Sequence, residues 1–162
     1  MLIKNLKVTL VGPDDIEQLK IFFSEIESDP QATFFHPHPF NGLEAEKICL
    51  NKGRDLYFAL YSDEKICGYG MLRGWDEGYS IPSLGVYISK CMRKSGAAKY
   101  LMHHMHQNAM LKGSNKIRLT VYVENIAAIK LYQKVGYRFK TIENEQKMVG
   151  VIDLEKHSFI SI

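Results

Sequence analysis

The chain has 162 residues and a net charge of +3, and its hydrophobic (46%), aromatic (11%) and charged (24%) fractions are those of an ordinary soluble globular protein. That length suffices for one substantial core, so one domain over 1–162 is expected. The mild charge, without a Lys/Arg run, argues against nucleic acid, no apolar run approaches membrane-spanning length, and the amino terminus lacks a signal-peptide pattern.

The cysteines Cys49, Cys67 and Cys91 show neither pairing nor metal spacing, and read as reduced thiols of a cytoplasmic protein. Leu6 to Val11 alternates around Lys7 and Thr9 as a first strand. Gly12-Pro13-Asp14-Asp15 opens a helix, with proline and acids in its first turn. Ile16, Leu19, Phe22, Phe23 and Ile26 carry that helix to about Ser28, and Asp29-Pro30 stops it. Residues 31–42 have no clear period and hold five aromatic or imidazole side chains and two prolines. Three readings stay open for His36 and His38 there: a polar contact or proton acceptor in a substrate lid, a metal pair without an obvious third ligand, or a packed loop with structural histidines.

Asn41 caps the next helix, with Glu44 as capping-box partner and Gly53 as its stop. Three antiparallel strands follow: Leu56–Tyr61, Ile66–Arg73 and Ser83–Ile88, joined by turns at 62–65 and 74–78. Trp75, on the second turn, is either a binding aromatic or a packed lid residue. After Ile88 comes a polar, basic loop, Ser89 to Ala98, which leads into a helix ending near Leu111. A helix amino terminus presents unpaired N–H groups and a positive dipole end, so it receives phosphate readily. Gly96 and the small Ala98 let a phosphate approach, and Arg93, Lys94 and Lys99 supply mobile positive charge. The loop fits neither the P-loop pattern nor the three-glycine dinucleotide fingerprint, and strand, basic loop and helix also occur together without a ligand.

His103 and His106 lie one helical turn apart and could chelate a metal, but read better as a solvated face. Ile117, Leu119 and Val121 alternate with Arg118, Thr120 and Tyr122 in a strand expected to lie parallel to the one ending at Ile88. Asn125 caps a short helix that Gly136 ends. Tyr137–Ile142 and Lys147–Leu154 form a closing hairpin, and the tail from Lys156 is a further edge strand or disordered. The apolar Phe159, Ile160 and Ile162 raise a homodimer through the last strands.

Two stretches together resemble the GNAT superfamily of N-acetyltransferases. One is Arg/Gln-x-x-Gly-x-Gly/Ala, met by Arg93, Gly96 and Ala98; the other is Asn-x-x-Ala-x-x-Leu-Tyr-x-x-x-Gly-Phe/Tyr, met by Asn125, Ala128, Leu131, Tyr132, Gly136 and Tyr137. The order of predicted elements fits as well. The resemblance implies an α+β (three-layer α/β) fold: a mixed, mostly antiparallel sheet of six to seven strands, about four helices, and a splayed parallel strand pair at the cofactor site. It implies acetyl-CoA as acyl donor, with no metal. Val86 and Ile88 would pair with the pantetheine arm through backbone groups. Arg93, Lys94, Ser95, Gly96, Ala97 and Ala98 would hold the pyrophosphate, and Asn125 would contact the pantetheine or the adjacent chain.

Tyr132 would protonate the departing thiolate, and the Val86 N–H would polarise the thioester carbonyl. The acceptor would be a small primary amine, such as an amino sugar; a protein amine, or a non-catalytic acyl-CoA-binding module, is the alternative. Register from Asn125 puts Thr120 where the members that acetylate ribosomal proteins carry a glutamate, which weakens a protein-terminus substrate. His36, His38, Glu77 and Tyr79 are the candidates for the acceptor side and its base.

Overall fold

A computed structural model describes residues 5–142 and 146–156. Seven strands make one sheet in the order β1-β2-β3-β4-β5-β7-β6. They are β1 (Leu6–Leu10), β2 (Leu56–Ser62), β3 (Lys65–Arg73), β4 (Ser83–Ile88), β5 (Lys116–Tyr122), β6 (Arg138–Ile142) and β7 (Lys147–Asp153). The α-helices are α1 (Ile16–Ser28), α2 (Gly42–Cys49), α3 (Ala97–Leu111) and α4 (Ile126–Val135). Neighbouring strands run antiparallel except β4 and β5. This is the expected α+β architecture, with helices on both faces of a mixed sheet. Among the described residues no helix is long and apolar enough to cross a membrane.

Sequence periodicity decides which face each element buries. Leu19, Phe22, Phe23 and Ile26 recur at helical spacing and seal α1 against the sheet, where they join Ala45, Ile48, Ala59, Tyr69 and Tyr87 in one core. Leu101, Met102, Met105 and Ala109 do the same for α3 on the opposite face, with Leu72, Leu84, Ile117, Leu119 and Val121 beneath them. On β5 the alternation is strict: Ile117, Leu119 and Val121 are buried on the α3 side, so Arg118 and Thr120 point to the α1 side. Gly70 matters for the α3 packing, because a Cβ there would stand 2.6 Å from Met105 Sδ. The glycine that weakens β3 by propensity thus lets the helix lie close.

The structure departs from the sequence reading at several places. Helix α2 ends at Cys49 instead of running to Gly53. The Asn51 side chain takes over there, accepting the Gly53 N–H at 3.0 Å and donating to the Asp55 carbonyl at 3.2 Å, so local side-chain bonds outcompete another helical turn. Pro30–Phe34 coils into a 3-10 turn that the aperiodic sequence did not announce, started by the Asp29 carboxylate accepting the Gln31 N–H. His106 does not lie on a solvated face: it is fully buried, with Nε2 2.8 Å from the Tyr137 hydroxyl. Trp75 is a packed residue of the α3-side core, with the Lys112 ammonium 4.7 Å from its ring centre. The tip of the last hairpin and the tail with Phe159, Ile160 and Ile162 lie outside the described residues.

Leu101 is wholly buried between α3 and the sheet. Leu101→Ala is expected to lower stability by about 2–5 kcal/mol, read as a shifted midpoint in urea unfolding at unchanged slope.

Candidate active site

The parallel strands β4 and β5 are joined at one residue pair, Ser83 with Arg118, where the Arg118 N–H donates to the Pro82 carbonyl at 3.0 Å. At the other end of β4 the Ser89 N–H donates to the Cys67 carbonyl, on the β3 side, at 2.8 Å. Backbone groups alternate sides along a strand. Pro82, Leu84, Val86 and Ile88 therefore turn their backbone groups toward β5, while Gly85, Tyr87 and Ser89 turn theirs toward β3. Beyond Arg118, β5 pairs along its other edge with β7 as far as Tyr122 and Lys147. The bridge at Ser83 uses the Leu84 N–H as its second bond; beyond it the strands part, and the Leu84 carbonyl, both groups of Val86 and the Ile88 N–H open into the gap. Val86 and Ile88 were expected here; Leu84 belongs with them by the same alternation.

The loop 89–96 closes the wide end of the gap. Lys90–Met92 is a 3-10 turn, Lys94 has φ 61°, and Gly96 has φ 88°. A Cβ at Gly96 would meet nothing within 4 Å, so glycine serves the left-handed backbone and leaves open space outside it. The Ser95 hydroxyl donates to the Met92 carbonyl and accepts the Ala97 N–H at 3.3 Å. The first helical bond of α3 runs from the Tyr100 N–H to the Gly96 carbonyl, which leaves the N–H groups of Ala98 and Lys99 ahead of it at the helix end. Ala97 is buried under the helix, Ala98 half-buried, and Lys94 exposed. The open space, the positive-φ backbone and the helix end together fit an anionic group.

Arg93 is placed otherwise than as a mobile charge. Its guanidinium reaches the Asp29 carboxylate at 2.6 Å, donates to the Gln31 side chain and to the Tyr87 hydroxyl, and its Nε donates to the Ile88 carbonyl at 3.3 Å. Tyr87 donates its hydroxyl proton to the same Asp29 carboxylate. The Tyr87 bond foremost, then the Gln31 N–H and Arg93, hold the Asp29 carboxyl down at about 2 against the opposing effect of burial. The loop 89–96 is thereby tied to the segment that follows α1.

On α4, Asn125 accepts the Ala128 N–H at 3.4 Å and caps the helix, as its place before an apolar stripe predicts. Tyr132 is half-buried in the α3-side core, 5.9 Å from Tyr137 between ring centres. Burial pushes its hydroxyl up to about 12, so it stays protonated at neutral pH.

The segment after α1 crosses the opposite face of the gap. Phe34 packs on Tyr122 of β5 at 5.6 Å, Phe35 on Tyr87 of β4 at 5.9 Å, and the Pro37 carbonyl accepts from Arg73 of β3 at 3.0 Å. His38 is held by two bonds: its Nδ1–H donates to the Pro39 carbonyl at 2.7 Å, which leaves Nε2 to accept from Tyr69 at 2.8 Å. Burial among Phe23, Phe40 and Tyr69 lowers its pKa, in keeping with that neutral form. His36 is exposed and lines a separate cavity of about 290 Å³ with Asp29, Thr33 and Phe40. Glu77 and Tyr79 do come together. With Pro37, Arg73, Ser83 and Arg118 they line a cavity of about 660 Å³ at the narrow end of the gap. The two arginines and Ser83 were not singled out in the sequence, because their neighbourhood depends on strand pairing. Among the described residues no group of three His, Cys, Asp or Glu side chains could hold a metal ion.

Residues 22–137 match the family model described as "Acetyltransferase (GNAT) family". The chain belongs to that family and is an acyltransferase. Similar relatives include a probable spermine N(1)-acetyltransferase of Bacillus subtilis subsp. natto, 27% identical over 108 residues that cover 60% of this chain and 71% of the relative. The spermine/spermidine N(1)-acetyltransferase of Bacillus subtilis strain 168 is 26% identical over the same shares. Among solved structures, the spermidine N-acetyltransferase of Vibrio cholerae in complex with CoA and spermine has the same fold, with a TM-score of 0.76 over 96% of this chain and 98% of that one at 16% identity.

The Asp29 network has a pH signature. Its folded pKa lies below the ordinary 3.8, so its stabilisation is complete above that value and is lost as pH falls toward about 2. Urea unfolding across this window should show wild type losing stability on acidification, and Asp29→Asn lacking that component while being less stable at pH 7.

Proposed function

We propose that this enzyme transfers the acetyl group of acetyl-CoA to a primary amine of a small molecule by direct attack. The observation that carries the reading is the strand gap: an unpaired edge of β4 that runs into a positive-φ loop and a helix amino terminus. An extended pantetheine arm can pair with the groups of Val86 and Ile88 as an added strand, with its pyrophosphate at Lys94 to Ala98. Asn125 would contact the arm from the β5 side. The cofactor supplies an activated acyl group as a thioester.

The chain's residues do the rest. The Val86 N–H polarises the carbonyl as the amine nitrogen forms its bond to carbon. The carbon–sulfur bond breaks, and Tyr132 gives its proton to the leaving sulfur. Glu77, or a water it holds, takes the proton the amine loses. Among the candidate bases, Glu77 and Tyr79 adjoin the cavity at the narrow end, whereas both nitrogens of His38 are engaged. The similarity to relatives named for polyamine acetylation supports a small-molecule amine as the acceptor class, and a compact polar amine such as an amino sugar fits the cavity. The reading places the protein in the cytoplasm, where its free cysteines stay reduced.

Tyr132→Phe should lower kcat by about 10²–10⁴ with the Kd for acetyl-CoA nearly unchanged, measured by thiol release and by calorimetric titration. Full activity in this variant would remove Tyr132 from the chemistry. Gly96→Val should instead raise the Kd for acetyl-CoA at least about tenfold, since a β-branched residue tolerates positive φ poorly and its side chain fills the open space. Unaltered affinity would detach the loop from the cofactor.

A further inference from the structure

We infer that the acceptor amine carries an anionic group, a carboxylate or phosphate, recognised by Arg73 and Arg118. The inference deepens the acetyltransfer reading and rests on it. Three residues stand in one row across three adjacent strands: Arg73 of β3 pairs with Ser83 of β4, and Ser83 pairs with Arg118 of β5. Paired residues share a face, so all three side chains rise on the α1 side of the sheet. Strand spacing puts the two arginine backbones about 10 Å apart, close enough for their long side chains to converge. Both line the 660 Å³ cavity.

The row lies at the point where β4 and β5 part, which is where the reactive end of an extended arm in the gap would stop. It lies six residues, or about 20 Å, from the loop at the other end of β4. These arginines therefore stand too far off to serve phosphates held at Lys94 to Ala98. They also have unspent charge. Arg73 donates one bond to the Pro37 carbonyl at 3.0 Å, and Arg118 one long bond to the Ser83 hydroxyl at 3.4 Å. Among the described residues neither guanidinium has a carboxylate within ion-pair distance.

Among the described residues Glu77 is the one acidic side chain lining the cavity. A cavity with two guanidinium groups and one carboxylate suits a ligand of the reverse pattern, a cationic amine beside an anion. Guanidinium groups bind carboxylate and phosphate in the same forked geometry, so both remain sources of the anion. A polyamine, all cation, would meet two like charges for one opposite.

The test compares matched acceptors at saturating acetyl-CoA. Glucosamine 6-phosphate against glucosamine tests phosphate, L-phenylalanine against phenethylamine tests carboxylate, and spermidine is the polycation. Each is read twice, as kcat/KM by thiol release and as Kd by titration of the protein with and without bound CoA. The expected result is at least a tenfold advantage for the anionic member of one pair over its neutral partner and over spermidine. Arg118→Gln should raise KM for that member toward the neutral partner's, with Arg118→Lys recovering part of the loss. Arg118→Gln should keep its acetyl-CoA affinity and thermal midpoint, since Arg118 makes only one long side-chain bond.

Preference for a neutral amine or spermidine in wild type, absence of any preference in both readouts, or an anion preference untouched in Arg118→Gln would overturn the proposal. Failure of acetyl-CoA itself to bind would instead sink the acetyltransfer reading, while the Kd values without CoA would still show whether the cavity selects anions.

Discussion

Two parallel strands that stay paired at a single position impose the rest of this architecture. A sheet interior ordinarily satisfies every backbone group, and an unpaired edge inside it is costly unless something occupies it. Here β4 is held on one side by the antiparallel ladder with β3, and β5 on its far side by the ladder with β7. Each strand is fully supported from outside, so the space between them can stay open without the sheet coming apart. The helices follow from this. Helix α3 packs over one face of β3 and β4, where Gly70 lets it come close, and its amino terminus meets the wide end of the gap. The segment after α1 covers the other face, through Phe34, Phe35 and Pro37. One wedge-shaped opening thus has a helix end at its broad mouth and a charged cavity at its point.

The division of labour between the two sheet faces comes from a period of two. On β5, Ile117, Leu119 and Val121 give their side chains to the core under α3, and Arg118 between them is delivered to the other face. On β3 the same parity sends Leu72 to the α3 core and Arg73 to the cavity. Gly85 continues the pattern. A Cβ there would lie 2.8 Å from Met71 Cε and 3.4 Å from Phe35 Cε1, so its absence lets the covering segment settle on β4. The two arginines proposed for recognition are the polar halves of alternations whose apolar halves hold the sheet together.

Features governed by local spacing could be read from the chain alone. The stripe in α1, the alternation in β5, the caps at Asn41 and Asn125 and the glycine at 96 all carry their signal within a few residues. The two family-like stretches gave the loop and Tyr132 in the same way. Features governed by long-range partners could not be read. His106 has the polarity of a surface residue, and its bond to the Tyr137 hydroxyl comes from 31 positions away. Arg93 sits in a basic loop and reads as free charge, yet Asp29 and Gln31 claim it from over 60 positions away. His36 and His38 look equivalent in sequence; in the fold one is bonded to the Tyr69 hydroxyl and the other is exposed. The Arg73–Ser83–Arg118 row has no trace in the sequence, because it exists only once three strands are in register.

The network around Asp29 joins two regions that would otherwise meet only through the sheet. Arg93 belongs to the loop at the wide end, and Asp29, Gln31 and the residues up to Pro37 belong to the segment that crosses the opposite face of the gap. Any ligand that draws the guanidinium outward must take it from Asp29 and Tyr87, and so loosens the start of that cover; any ligand that orders the cover fixes Arg93 more firmly. By thermodynamic reciprocity the two occupancies then influence each other equally in both directions. One arginine bonded to both segments lets a displacement of either be felt by the other.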